Sequence, residues 1–133
     1  MRVARPADAR WLCLPAAPES SARCRDFVRS VLEDWGTSCE VDDALLLVSE
    51  LCSNVVRHAR TPMVVGVLRD PTARTVRISV RDDSAMLPQE RDTTELATSG
   101  RGLMIVRSIA EQWGVQRLPV GKVVWFEVPA ECA

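Results

Sequence analysis

Glu50 and Asn54 stand four residues apart in an otherwise apolar stretch, with Ala44-Leu45-Leu46-Leu47-Val48 before them and Val55-Val56 after. On a helix that spacing projects both side chains from one side, one turn apart. A carboxylate and a carboxamide placed this way have two readings. The plainer is a solvated helix face, since short motifs often arise by accident. The other is a face turned toward a metal-bound phosphate. An Asn oxygen is a hard ligand suited to Mg²⁺, which keeps an octahedral oxygen shell and shares it with substrate phosphates. A Glu one turn away is placed to take a proton from an attacking hydroxyl or water.

Three more stretches bear on the choice. Asp82 closes the alternating segment Val76, Ile78, Val80. A carboxylate there can accept a hydrogen bond from an exocyclic amine deep in a pocket, or it can simply form the turn after a strand. Gly100-Arg101-Gly102 precedes an apolar run from Leu103. Glycines let backbone approach a phosphate and helix-start N–H groups attract anions, although G-x-G alone also marks an ordinary loop end. Between them, residues 83–99 carry neither helical nor strand period. Loops of that length are usually functional or disordered, so this one reads as a lid over a ligand or as plain disorder.

These residues need elements to hold them. Asp42-Asp43 opens a helix toward its dipole-positive end, and Leu45, Val48, Cys52, Val55 and Ala59 give it one apolar face, bordered by Leu47 on the Glu50/Asn54 side. That helix fades near Arg60-Thr61-Pro62. Before it, Arg10–Leu14 reads as an edge strand, with Trp11 and Cys13 on one side and Leu12 and Leu14 on the other. Cys24, Phe27, Val28, Val31, Leu32 and Trp35 form an amphipathic stripe after Pro18, stopped by Gly36. After it come strands at Met63–Arg69 and Thr75–Asp82, then the loop. A helix is expected from Leu103 to Trp113, ended by Gly114, and two strands at Val115–Leu118 and Val123–Val128. The order β-α-α-β-β-loop-α-β-β predicts an α+β fold: a two-layer sandwich with one mixed or antiparallel sheet and its helices on one face.

Composition narrows the function classes. The chain has 133 residues and a net charge of −1, without a basic block. That removes the electrostatic footprint of a dedicated nucleic-acid binder. One domain over 1–133 is expected, with residues 1–8 as a frayed start. No apolar run approaches the roughly 18 residues of a membrane span. Met1–Pro6 leads into no signal-peptide core, so the expected location is the cytoplasm. Five cysteines without a C-x-x-C pair, and a single histidine, argue against zinc and for free thiols.

Taken in order, Glu50-x-x-x-Asn54, Asp82 after a strand, Gly100-x-Gly102-Leu103 and a strand hairpin with Gly121-Lys122 resemble the GHKL ATPases, the Bergerat (histidine kinase-like ATPase) fold. The phrases Glu50-Leu51-x-x-Asn54-x-x-Arg57-His58-Ala59, Val80-x-Asp82-x-Ser84, Gly100-Arg101-Gly102-Leu103 and Val124-Trp125-Phe126-Glu127 are similar to those of the stand-alone bacterial anti-sigma-factor serine kinases. The resemblance covers about residues 9–129. It implies ATP and Mg²⁺ as cofactors, with Asn54 holding the Mg²⁺ that bridges the phosphates. It implies Glu50 as general base for a protein serine hydroxyl and Asp82, with Ser84 in the same box, as reader of the adenine amine. Gly100, Arg101, Gly102 and Leu103 would meet the phosphates. Arg57 would neutralise phosphate charge or form a surface salt bridge, and His58 would be structural. The implied partners are a sigma factor and an anti-anti-sigma protein of STAS type, with a possible homodimer, no direct nucleic acid and no membrane.

Two departures from the family pattern stand out. The adenine box D-x-G-x-G is here Asp82-Asp83-Ser84-Ala85-Met86, without either glycine. In the hairpin, where the family has a Thr that supports the adenine-reading Asp, this chain has Val123. Four function classes therefore stay open: a serine kinase; a non-catalytic module, with ATP as structural ligand or absent, that sequesters a sigma factor or other regulator; a detached histidine-kinase catalytic domain; and an unrelated structural domain.

Overall fold

Strand alternation sets the sheet. In β3 (Thr75–Asp82), Val76, Ile78 and Val80 are buried on one face, while Arg77 and Arg81 reach toward solvent on the other. In β5 (Lys122–Pro129) the same period buries Lys122, Val124, Phe126 and Val128 and leaves the residues between them half-buried. The computed structural model describes residues 8–37, 41–70, 72, 74–84 and 112–130. Their five strands are β1 (Ala9–Leu14), β2 (Met63–Asp70), β3, β4 (Gln112–Arg117) and β5, in the spatial order β1-β2-β3-β5-β4. Every described pairing is antiparallel, which selects the second of the two sheet types the element order allowed.

Among the described residues, two helices cover the apolar face. α1 (Ser20–Asp34) buries Cys24, Val28, Val31 and Leu32, with Phe27 and Trp35 packed at the edge of the core. It stops where expected: Gly36 takes φ +67°. The Gly36 N–H then donates to the Glu33 carbonyl and the Thr37 N–H to the Leu32 carbonyl, closing the last turn. α2 (Val41–Asn54) carries Asp42 and Asp43 in its first turn. Its buried arc is wider than a single stripe. Leu47, expected to border the polar side, is fully buried along with Leu45, Val48, Leu51 and Cys52. The helix packs on α1 and on β3 at once, so two of its sides lose water. Burying side chains such as Leu47 and Phe126 contributes roughly 1.5–3 kcal/mol each.

The other face of the sheet carries a row that crosses every strand: Trp11, Gly66, Ser79, Trp125 and Gly114 pair in register. A Cβ on Gly66 would collide with the Trp11 ring, and one on Gly114 would lie 2.8 Å from the Trp125 ring. This corrects the expected helix end. Trp113 and Gly114 belong to β4, not to the end of a helix. Gly114 is there because the Trp125 indole lies across it; it stops no helix. The rest of that expected helix lies outside the described residues.

Cys24 and Cys52 link the two helices inside the core, with their sulfurs 2.7 Å apart. Both are free and buried, as small core thiols should be. The Cys52 thiol is pushed well above its ordinary range, first by its hydrogen bond with Cys24 and then by burial. Folding therefore holds that thiol protonated. The stability it contributes is complete below the ordinary thiol range and declines as pH rises above it, because the unfolded chain ionises first. Alkylation at pH 8 followed by peptide mass spectrometry should mark exposed Cys13 in the folded protein and spare Cys24 and Cys52 until denaturant is added.

Candidate functional site

Chain direction brings the candidate residues to one end of the molecule. α2 runs into a five-residue π-helical turn, Val55–Ala59, and then directly into the start of β2. β3 is antiparallel to β2, so Asp82 lies opposite Met63 at that same end. The short connection is tied across: the Asp83 N–H donates to Thr61 Oγ1 at 3.0 Å. Asn54 sits just before the π turn, so it is the last α-helical residue facing this end.

The π turn has a local cause. Arg60 takes φ 55°, and its N–H reaches back five residues to the Val55 carbonyl at 2.7 Å. One wide turn of this kind changes the phase of the residues after it, and such turns recur at functional sites. Here it leaves Arg57 Nη2 donating to Asn54 Oδ1 at 3.3 Å and Arg57 Nε to the Ser53 carbonyl at 3.4 Å. Arg57 and His58 also lie at the dipole-negative end of the helix, where positive charge is stabilised.

Glu50 and Asn54 are half-buried at the edge of the apolar arc of α2, beside buried Leu47 and Leu51. Glu50, Ser53, Val56 and Arg57 border a groove of about 430 Å³, closed on its far side by Pro18 and Ser21 at the start of α1. Ser21 and Ser53 hydroxyls, 3.0 Å apart, pin the helices together there. The carboxylate thus stands beside open space that an incoming hydroxyl could enter.

These groups suit a phosphate-borne metal better than a free cation. Among the described residues, no group of three or more His, Cys, Asp or Glu side chains could hold a metal ion. Asn54 offers one carboxamide oxygen, with a guanidinium already against it. That positive neighbour disfavours a bare Mg²⁺ and favours anionic oxygen. Mg²⁺ that arrives on phosphates needs only one or two protein ligands and keeps waters for the rest. A single carboxamide oxygen beside a guanidinium therefore fits Mg²⁺ that arrives on phosphates.

Asp82 is 2 % exposed and Lys122 4 %. Lys122 Nζ lies 3.0 Å from both carboxylate oxygens, and the Ser84 N–H donates to Oδ1 at 2.8 Å. The cross-strand partner of Asp82 is Lys122, while Val123 pairs with Arg81 and belongs to the opposite face. The residue beside the Asp82 carboxylate is therefore Lys122, not Val123. Sequence reasoning passed over it by starting the last strand one residue late. Extended by one, the alternation Val124, Phe126, Val128 reaches Lys122 and marks a lysine on a core-facing position.

Gly121 makes the close approach possible. It takes φ +83°, and a side chain there would run into the Asp82 backbone. Gly121→Ala should therefore destabilise the protein by at least about 1–3 kcal/mol for the backbone conformation alone. It should also shift the backbone amides of Asp82 and Asp83 in NMR spectra. An unchanged denaturation midpoint would contradict this.

Glu50, Asn54 and Arg57 thus share one helix side, and Asp82 and Ser84 meet at the adjoining end of the sheet. Gly100, Arg101, Gly102 and Leu103 lie outside the described residues, as do residues 85–99 of the expected lid. No described helix is long and apolar enough to cross a membrane.

The profile of the histidine kinase-like ATPase domain family matches residues 14–128. No curated protein matches the chain. Among solved structures it is similar to the RsbU and RsbW domains of a Mycobacterium tuberculosis protein, with TM-score 0.63 and 17% identity over 94% of this chain and 34% of that one. It is also similar to the histidine kinase domain of a blue-light activated histidine kinase from Erythrobacter litoralis, with TM-score 0.52 and 19% identity over 88% of this chain and 62% of that one. At these identities the likeness is one of fold. The chain spans about a third of the first structure (34%) and under two thirds of the second (62%).

Proposed function

This chain belongs to the histidine kinase-like ATPase domain family, and from that premise we propose that it is a Mg-ATP-binding regulator of the anti-sigma-factor type that phosphorylates a serine of an anti-anti-sigma partner. One observation carries the reading: Asn54 with Arg57 against its oxygen, at the helix end that adjoins Asp82. The box order along the chain supports the finer assignment to a serine kinase.

In this reading Asn54 supplies an oxygen ligand to Mg²⁺ held on the ATP phosphates. The bound metal neutralises phosphate charge. Arg57, already directed at the same oxygen, adds a guanidinium for phosphate oxygens. Glu50, on the same side of α2 and bordering the groove, accepts the proton of the attacking serine hydroxyl. The chain's work is positioning and charge neutralisation, which dominate phosphoryl transfer. Gly100, Arg101, Gly102 and Leu103 complete the phosphate contacts. The partners are a sigma factor and a STAS-type anti-anti-sigma protein, met in the cytoplasm, and a homodimer is part of the proposal.

Titration calorimetry with ATP, with and without Mg²⁺, tests the reading. Asn54→Ala should weaken Mg-dependent binding by more than about tenfold, the worth of one charge-assisted contact, and leave the fold intact by circular dichroism. Wild-type protein that takes up no nucleotide would end the proposal.

A second reading has an observation of its own. Asp82 is already paired with Lys122 inside the protein. That favours a non-catalytic module of the same fold, which sequesters a sigma factor or other regulator with ATP as a structural ligand or absent. Tight nucleotide binding without phosphotransfer to any partner serine would support it.

A further inference from the structure

The Asp82 carboxylate has little left to offer a ligand. Oδ1 accepts from the Ser84 N–H at 2.8 Å and from Lys122 Nζ at 3.0 Å, and Oδ2 lies 3.0 Å from the same ammonium. The ammonium is held firmly: the Lys122 side chain is 5 % exposed and that of Asp82 2 %. It sits in phase with Val124, Phe126 and Val128, so it cannot turn to solvent without leaving the core face of β5. A paired buried charge resists separation, because either partner left alone is strongly disfavoured.

We infer that Lys122 holds the hydrogen-bonding position on Asp82 that the exocyclic amine of a purine base would otherwise take, so that Lys122 determines base specificity and makes this site indifferent to that amine. The inference rests on the nucleotide-binding reading above. The chemistry follows from the charges. A bare buried carboxylate strongly favours an amine donor and rejects a base without one, because its own lone pairs would then stay unpaired. Here both carboxylate oxygens already accept from the chain, Oδ1 from the Ser84 N–H and both from the Lys122 ammonium. An amine arriving at Asp82 meets a positive charge and a carboxylate whose two oxygens are both engaged, while a base lacking the amine leaves neither oxygen without a donor.

The test compares ATP with purine riboside triphosphate, which lacks the amine, both with Mg²⁺, by calorimetry. Wild type should bind the two within about threefold. Lys122→Thr removes the charge, keeps a short hydroxyl donor and opens space beside Asp82. It should restore a preference for ATP of about tenfold or more, the scale of one buried hydrogen bond to a charged acceptor. Wild type that already prefers ATP by tenfold overturns the inference and leaves the nucleotide reading standing. So does Lys122→Thr with the wild-type ratio. If Lys122→Thr does not fold, the wild-type ratio decides alone. Wild type that binds neither triphosphate overturns both.

Discussion

Lys122→Met should lower the free energy of unfolding by about 3–5 kcal/mol, because it strands a charge that cannot reach water. Asp82 is 2 % exposed, and without Lys122 the donor that remains to it among the described residues is the Ser84 N–H. Exposed ion pairs contribute only about 0–1 kcal/mol, so the size of the loss separates a buried pair from a decorative one. The double variant Asp82→Leu with Lys122→Met should recover most of the loss, since apolar replacement of a whole buried pair is often neutral or better. Urea unfolding of the wild type, both single variants and the double variant measures this as a mutant cycle. The m-value should stay constant, which keeps the comparison one of stability. A loss under about 1 kcal/mol for Lys122→Met would mean that water reaches Asp82.

Glu50→Ala carries the largest expected kinetic effect. A positioned general base contributes about 10²–10⁴-fold, so phosphotransfer from labelled ATP to a STAS-type partner should fall by that factor. Nucleotide affinity should change little, because Asn54 and Arg57, the groups assigned to the metal and phosphates, lie a turn or more further along the helix than Glu50. Loss of rate without loss of binding is the signature of a group that acts only in the transition state. Phosphotransfer that survives Glu50→Ala unchanged would remove this residue from the role. The kinase proposal would then rest on some other base.

Much of the architecture was legible in short windows. The α1 stripe from Cys24 to Trp35, the two faces of Arg10–Leu14 and the alternation of Val76, Ile78 and Val80 each report one buried side of one element. The helical spacing of Glu50 and Asn54 was legible for the same reason: a four-residue separation is a local quantity. Reading by window failed in two ways, once through a distant side chain and once through a backbone conformation just past the run. Gly114 reads as a helix stop from its neighbours, yet the Trp125 ring across the strand pair excludes a side chain there. The π turn at Val55–Ala59 also left no mark in the apolar spacing, because Arg60 in the left-handed region sets it from outside the run.

The residues alone determined α1, α2 and strands β1, β2, β3 and β5 to within a residue or two, the buried side of α1 and β3, and that a carboxylate and a carboxamide share one face of α2. Local periodicity is enough for that, since each element has to hide its own apolar side. What faces Asp82 was decided by the assembled sheet. Lys122 reaches it across 40 residues of chain through the register of β3 against β5. No local pattern encodes that register: it emerges only when both strands present their apolar faces to the same pair of helices.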